Sequence, residues 1–341
     1  AGTAGVSGST DGVGLAATFN HPTGITTDGI NLFVADSGNY TIRKIEIISG
    51  SVTTLAGTAG NHGSEDGTGS SARFYHPSGI TTDGSNLYVA DESNFTIRKI
   101  VIATGEVTTL AGTAGVSGSM DSTGTAASFG LLGGLATDGT YLFIADSSNN
   151  TIRKVVIATG EVMTLAGSVG SIGAVDGTGM AARFYGPTGI TTDGTNLFVS
   201  DSFSNSIRKI VITTVVVTTL AGGSGGSADG TGIAASFNDP FGITTDGTSL
   251  FVTDIGNYMI RKVAISTGVV TTLAGAGSPG SSDGTGSTAR FNGPSGITTD
   301  GINLFVADYS NHTIRKIAIA TGAVSTLAGI AGSPGSLDGA G

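Results

Sequence analysis

The chain has 341 residues, with 15 Lys and Arg against 25 Asp and Glu, a net charge of −10 and no Cys. Without Cys there is no disulfide, zinc–thiolate site or catalytic thiol. Twelve of the basic residues are six Arg-Lys pairs and the other three, Arg73, Arg183 and Arg290, share one position just before Phe, so the concentrated positive charge that a nucleic-acid partner requires is missing. No apolar run approaches the roughly 18 residues of a membrane-spanning helix, which argues against membrane insertion, and no signal peptide is visible. The 58 Gly exceed the average share of about 7% but fall periodically at turns, so they are not a mark of disorder.

One unit, cleanest at Phe74 to Gly112, occurs six times. Its opening Gly falls at Gly24, Gly79, Gly134, Gly189, Gly242 and Gly296, a period of 53–55 residues, and a fixed period of this length marks a repeat architecture. In chain order each unit offers four short strands. Gly-Ile-Thr-Thr-Asp comes first, closed by an Asp-Gly turn at Asp28-Gly29. Asn-Leu-Phe-Val-Ala-Asp follows, apolar on both faces, as in a strand packed between two sheets. The third, Thr-Ile-Arg-Lys-Ile, alternates, with Ile45 and Ile47 on one face and Ile42 on the other. A tight turn at Ser49-Gly50 leads to the fourth, rich in Val and Thr. No stretch carries helical periodicity with capping signals.

Six such units with no composition break predict one all-β domain over residues 1–341: a six-bladed β-propeller with four antiparallel strands per blade in a closed ring, which removes exposed edges. The blades are expected near 24–57, 79–112, 134–167, 189–222, 242–275 and 296–329, with the first strand lining the central channel and the fourth outside. Because each blade's strands are contiguous, closure is expected by blade packing rather than by a shared blade. Residues 1–14 and 328–341 are two versions of one connector, so 330–341 is expected to begin a further connector of a longer parent chain.

The pattern Phe-x-x-Pro-x-Gly-Ile, then Asp-Gly, Asn-Leu-Phe-Val-Ala-Asp and Asn-x-x-Ile resembles the NHL repeat. The sixth copy, with Asn311 and His312 ahead of Ile314, comes nearest. The connector Asp66 to Phe74 resembles that of bacterial-type NHL arrays. The resemblance covers essentially the whole chain and implies a six-bladed propeller. It does not imply one activity, since NHL-like propellers include ligand-sensing and adhesion domains, RNA or protein binders and a metal-dependent lyase.

Of the 20 Asp, 19 sit at three positions of the repeat, where turn and cap chemistry accounts for them; the one closing the second strand is also placed to pair with the repeat's Arg. Asp239 alone is out of frame. It stands just before Pro, at a position reading His21, His76, Leu131, Gly186, Asp239 and Gly293 around the blades. This loop leads into the innermost strand, so His21, His76 and Asp239, with Tyr75 and Tyr185 beside them, are expected to ring the channel mouth. His and carboxylate suit a divalent metal or general acid–base chemistry there; the bland alternative is a polar rim. No other cofactor is indicated. Asn39, Asn94, Asn149 and Asn311 open Asn-x-Thr sequons, which are N-glycosylation acceptors or turn residues. In the fourth copy Val215 replaces the Gly of the last hairpin, which is expected to change its shape and to leave Val215, Val216 and Val217 as an apolar outer edge for lateral contact.

Together these features predict a non-catalytic interaction or structural propeller, secreted or in the cell envelope, that binds protein, glycan or copies of itself. The alternative is a ligand sensor or a metal-dependent lyase or hydrolase with its site at the channel mouth.

Overall fold

The computed structural model describes residues 8–328; the connector expected at 330–341 lies outside them. The chain forms six sheets around a central axis. In the first blade the strands are β1 (Gly12–Val13), β2 (Pro22–Thr27), β3 (Asn31–Asp36), β4 (Thr41–Glu46) and β5 (Ser51–Gly57), in the spatial order β1-β5-β4-β3-β2. Every blade repeats this order. The blades therefore have five strands, not the expected four, and run over 12–57, 67–111, 122–167, 177–222, 230–274 and 284–328.

The extra strand comes from the connector and is two residues long, too short for any periodic signal. It is pinned by a carboxylate: Thr54 donates its backbone N–H and its hydroxyl to Asp11, at 3.1 and 3.0 Å, which seats Gly12 and Val13 opposite Val52 and Ser51. Helical structure among the described residues is limited to three-residue 3₁₀ turns, and no described helix is long and apolar enough to cross a membrane.

The second strand is apolar on both faces because it serves two seams. Leu32 and Val34 pack with Phe305, Ala307 and Ile314 of the sixth blade. Phe33 and Ala35 pack with Ile80, Leu87 and Val89 of the second. Fully burying each large apolar side chain contributes about 1.5–3 kcal/mol, so blade-to-blade packing dominates cohesion. The seam between blades 6 and 1 is packed like the others, and the ring is closed.

Around the channel the ring is also tied by hydroxyls. Thr23 donates across to the Pro77 carbonyl at 3.2 Å, Ser78 to Leu132 at 3.2 Å, Thr188 to Pro240 at 3.4 Å and Ser295 to Thr23 at 3.2 Å. The third and fifth blades have Gly133 and Phe241 at this position and cannot donate. There Ser147 reaches the Pro187 carbonyl and Thr253 the Ser295 carbonyl, at 2.5 and 2.7 Å. The inner strands approach so closely that only Gly fits beside them. A Cβ at Gly189 would lie 2.1 Å from the Phe241 carbonyl oxygen.

Each blade is bolted by a fully buried Arg. Arg43 donates through Nη1 to Asp36 and the Thr18 carbonyl, both at 2.9 Å, and through Nη2 to Asp11 at 2.8 Å and the Thr10 carbonyl at 2.9 Å. Its guanidinium lies 5.2 Å from the Phe19 ring centroid, a cation–π contact. The same pairing with two Asp recurs at Arg98, Arg153, Arg208, Arg261 and Arg315. The expected Asp–Arg pair is thus present in every blade. Burial pushes Asp36, Asp201 and Asp308 up to about 6, with the neighbouring Arg pulling the other way.

Two outcomes check these roles. Asp91→Asn leaves Arg98 buried beside a neutral partner and should lower the urea-unfolding free energy by about 3–5 kcal/mol. Asp66→Asn, at the half-exposed partner, should cost about 1 kcal/mol or less; equal costs would refute the assignment of Asp91 as the inner counter-ion. Gly189→Ala should destabilise by about 1–3 kcal/mol through overpacking. Gly225→Ala, where the nearest atom is 3.7 Å away, should leave the unfolding midpoint near wild type.

Candidate functional site

The position before the innermost strand is governed by the backbone. His21, His76 and Asp239 have φ of 50°, 52° and 58°, and Gly186 and Gly293 have 62° and 69°. This left-handed region favours Gly and tolerates short polar side chains. In the preceding blade, the residue closing the turn after the second strand is left-handed too, with φ from 51° to 61° at Tyr40, Phe95, Asn150, Asn205, Tyr258 and His312. The two positions meet at the seams leading into the first, second, fourth and fifth blades. The N–H groups of Gly186, Asp239 and His21 donate to Asn150 Oδ1, Asn205 Oδ1 and His312 Nδ1, at 2.9, 3.0 and 3.2 Å.

His21, His76 and Asp239 are not drawn together into one cluster. These residues stand at three different seams, and among the described residues no group of three or more His, Asp or Glu could hold a metal ion. His21 lies with Tyr309 and His312, ring centroids 4.6 and 4.7 Å away. His76 stacks on Tyr75 at 4.8 Å, Tyr75 stacks on His62 at 4.4 Å, and Tyr40 meets His76 edge-on at 5.2 Å. Tyr185 is remote from both groups and packs on Phe203 at 5.2 Å. Of the expected five, only Tyr75 and His76 come together. His62 and Tyr40 join them through the fold, and Tyr309 and His312 join His21.

Burial holds His21, His76 and His312 below the usual histidine range, and the neighbouring His adds to this at His76 and His312. His21, His76 and His312 are therefore mainly neutral at pH 7. Burial raises the carboxyl of Asp239, against the pull of its hydrogen bond with Ser202.

The four sequon asparagines are scaffold. Nδ2, the atom a glycan would occupy, donates to the Asp closing the second strand and to a connector carbonyl: for Asn94, Asp91 at 2.8 Å and Gly63 at 2.7 Å. Asn39, Asn149 and Asn311 do the same. Modification there would cost the blade at least one of these bonds, because a glycosylated Nδ2 keeps a single N–H.

The Val215 hairpin keeps its shape, contrary to expectation. Val215 takes φ 55°, in the range of Gly50, Gly105, Gly160, Gly268 and Gly322 at 67° to 71°. The hairpin is fixed by the flanking register, so Val carries the strain instead of relieving it. The apolar edge is not open either. Val217 is in the core, 1% exposed, and faces Gly177 of the connector strand, while Val216 is 37% exposed and faces Thr178.

At the centre lies a cavity of about 420 Å³. Its wall carries one aliphatic side chain per blade: Ile25, Ile80, Leu135, Ile190, Ile243 and Ile297. Its single ionisable lining residue is Glu92. Burial raises the Glu92 carboxyl, against a hydrogen bond with the Ser78 hydroxyl. The sequence reading missed Glu92. The available signal was its frame position, which reads Ser37, Glu92, Ser147, Ser202, Ile255 and Tyr309.

No protein-family model matches the sequence. The human protein named NHL repeat-containing protein 2 is 30% identical over 347 aligned residues, which take in 90% of this chain and 47% of that protein. With six blades in place, that similarity decides the family. The chain is an NHL-repeat β-propeller. It spans about half the length of that relative. A Bacteroides thetaiotaomicron protein of unknown function superposes with a TM-score of 0.69 at 23% identity, covering 94% of the NHL chain and 73% of its own. An auxiliary nutrient binding protein from the same organism gives 0.67 at 15%, covering 91% and 70%. At these identities the likeness shows the fold of the NHL ring and nothing finer.

Val215→Gly should raise the urea-unfolding free energy of the NHL propeller by about 1 kcal/mol, because a left-handed β-branched residue is strained by about that much or more. A decrease would show that the packing of Val215 outweighs its backbone strain.

Proposed function

We infer that this NHL propeller is a non-catalytic binding module and that it engages a protein partner through the face carrying its aromatic clusters. The observation that carries the reading is the distribution of side chains left over from the scaffold. The repeat's Arg and Asp are spent in bolts and turns. What remains at the turns beside the innermost strands is largely aromatic, with the carboxylates Asp239 and Glu92 standing apart from the clusters: His21, Tyr309 and His312 at one seam, Tyr40, His62, Tyr75 and His76 at the next, and Tyr185 with Phe203 on the fourth blade.

Tyr309, Tyr185 and Phe203 are 37%, 41% and 63% exposed. Large aromatic side chains at low conformational cost are the usual anchors of protein interfaces. The neutral state of the half-buried His21, His76 and His312 favours a contact that is desolvated on binding. A fold neighbour named as an auxiliary nutrient binding protein accords with binding rather than catalysis. A location outside the cell or in its envelope belongs to the same proposal, motivated by the 12% charged content and the Thr/Ser/Gly-rich surface; fractionation that recovers the native protein only from cytosol would sink that part.

The face is tested by placing a photo-crosslinking residue at His62, at Phe203 or, on the opposite face, at Ser85. The same polypeptide should be captured from the first two positions and not from Ser85, and a Tyr75→Ser, Tyr309→Ser variant should lose it. Equal capture from Ser85, or capture indifferent to those substitutions, would count against the reading.

A further inference from the structure

None of the residues of the aromatic clusters lines the central cavity, and its chemistry differs from theirs. Six aliphatic side chains, one from each blade, form its wall, with Thr26, Thr81, Thr191, Thr244 and Thr298 beside them. Its volume of about 420 Å³ falls in the range of small-molecule pockets. Into this wall the second blade introduces Glu92, where three of the other five blades carry Ser. No Lys, Arg or His lines the cavity, so no cation there offsets the carboxylate. The Ser78 hydroxyl beside it is shared with the Leu132 carbonyl, so its one proton cannot satisfy both acceptors.

A carboxylate at an apolar wall is costly unless it is paired. All six buried Arg have paired acidic residues; Glu92 is not among those partners. A net charge of −10 also favours approach of a positive ligand. We propose that the central cavity binds a small organic cation, an ammonium group on an apolar body, with Glu92 holding the ammonium and the ring of Ile25, Ile80, Leu135, Ile190, Ile243 and Ile297 enclosing the body. The site breaks the sixfold repetition at one point and so fixes the orientation of a ligand in a wall that is otherwise uniform. It uses none of the side chains assigned to the partner-binding face, although Glu92 shares its repeat position with Tyr309, and neither reading depends on the other.

The test uses benzylamine, with benzyl alcohol as its neutral counterpart, and isothermal titration of the whole chain at pH 7. Benzylamine should bind at least about tenfold more tightly than benzyl alcohol, a difference of about 1.4 kcal/mol. Glu92→Gln should reduce the ratio to near one while retaining benzyl alcohol binding. Leu135→Trp, which fills the cavity, should abolish binding of both. Because Glu92 is the only titratable group in the wall and burial raises it, the preference for the amine should fade on acidification at a higher pH than for an exposed Glu. Circular dichroism and unfolding midpoints of both variants confirm that the ring is intact. The proposal is overturned if neither probe binds, if the wild type shows no preference, if the preference survives in Glu92→Gln, or if binding survives in a folded Leu135→Trp.

Discussion

The fold depends on a guanidinium that has to be buried. Arg43 and its five counterparts sit within the blade with almost no exposure, where a charge is tolerable only when it is paired and hydrogen-bonded. Two carboxylates, two backbone carbonyls and a phenyl ring meet that demand. Together they fix which connector segment lies at the blade edge, which Asp closes the second strand and where the connector Phe enters the seam. Lys could not replace this Arg, because a single ammonium cannot span both carboxylates and both carbonyls as a planar fork does. The bolt therefore sets the register of each blade; the apolar seams supply the larger share of cohesion.

The ring adds a second constraint. Inner strands converge on the axis until backbone meets backbone, which admits only Gly at one position and places hydroxyl donors beside it. Where Gly133 and Phe241 remove the donor, Ser147 and Thr253 supply it from neighbouring strands. The seam is held by what the geometry demands, not by one residue type at one alignment column. Read column by column, blades 3 and 5 seem to lack the tie.

Departures from the repeat fall into two kinds once the structure is known. His21, His76 and Asp239 share a column whose backbone is left-handed in every blade but the third, where Leu131 stands, and in those five blades it admits Gly, His and Asp for one conformational reason. Their chemistry is secondary to that and does not converge. Glu92 departs from a column with no such demand, at the wall of the cavity, and no scaffold interaction accounts for its charge. The sequence reading weighted the first kind because His and Asp are familiar ligands. It passed over the second because one Glu among Ser residues carries no spacing pattern.

The sequence by itself determined the number of blades, the four long strands of each, the closed ring and the scaffold role of the Asp and Arg columns. These follow from a period repeated six times, from strand patterns two residues in period, and from charges that recur in register. Tertiary structure decided the fifth strand, the fate of the sequon asparagines, the shape of the Val215 hairpin and the grouping of His62 with Tyr75, and of His312 with His21. Each depends on contacts between separated segments, as far apart along the chain as the 291 residues between His21 and His312. A two-residue strand, a left-handed backbone and a carboxylate at a shared wall exist only after the blades have closed around the axis.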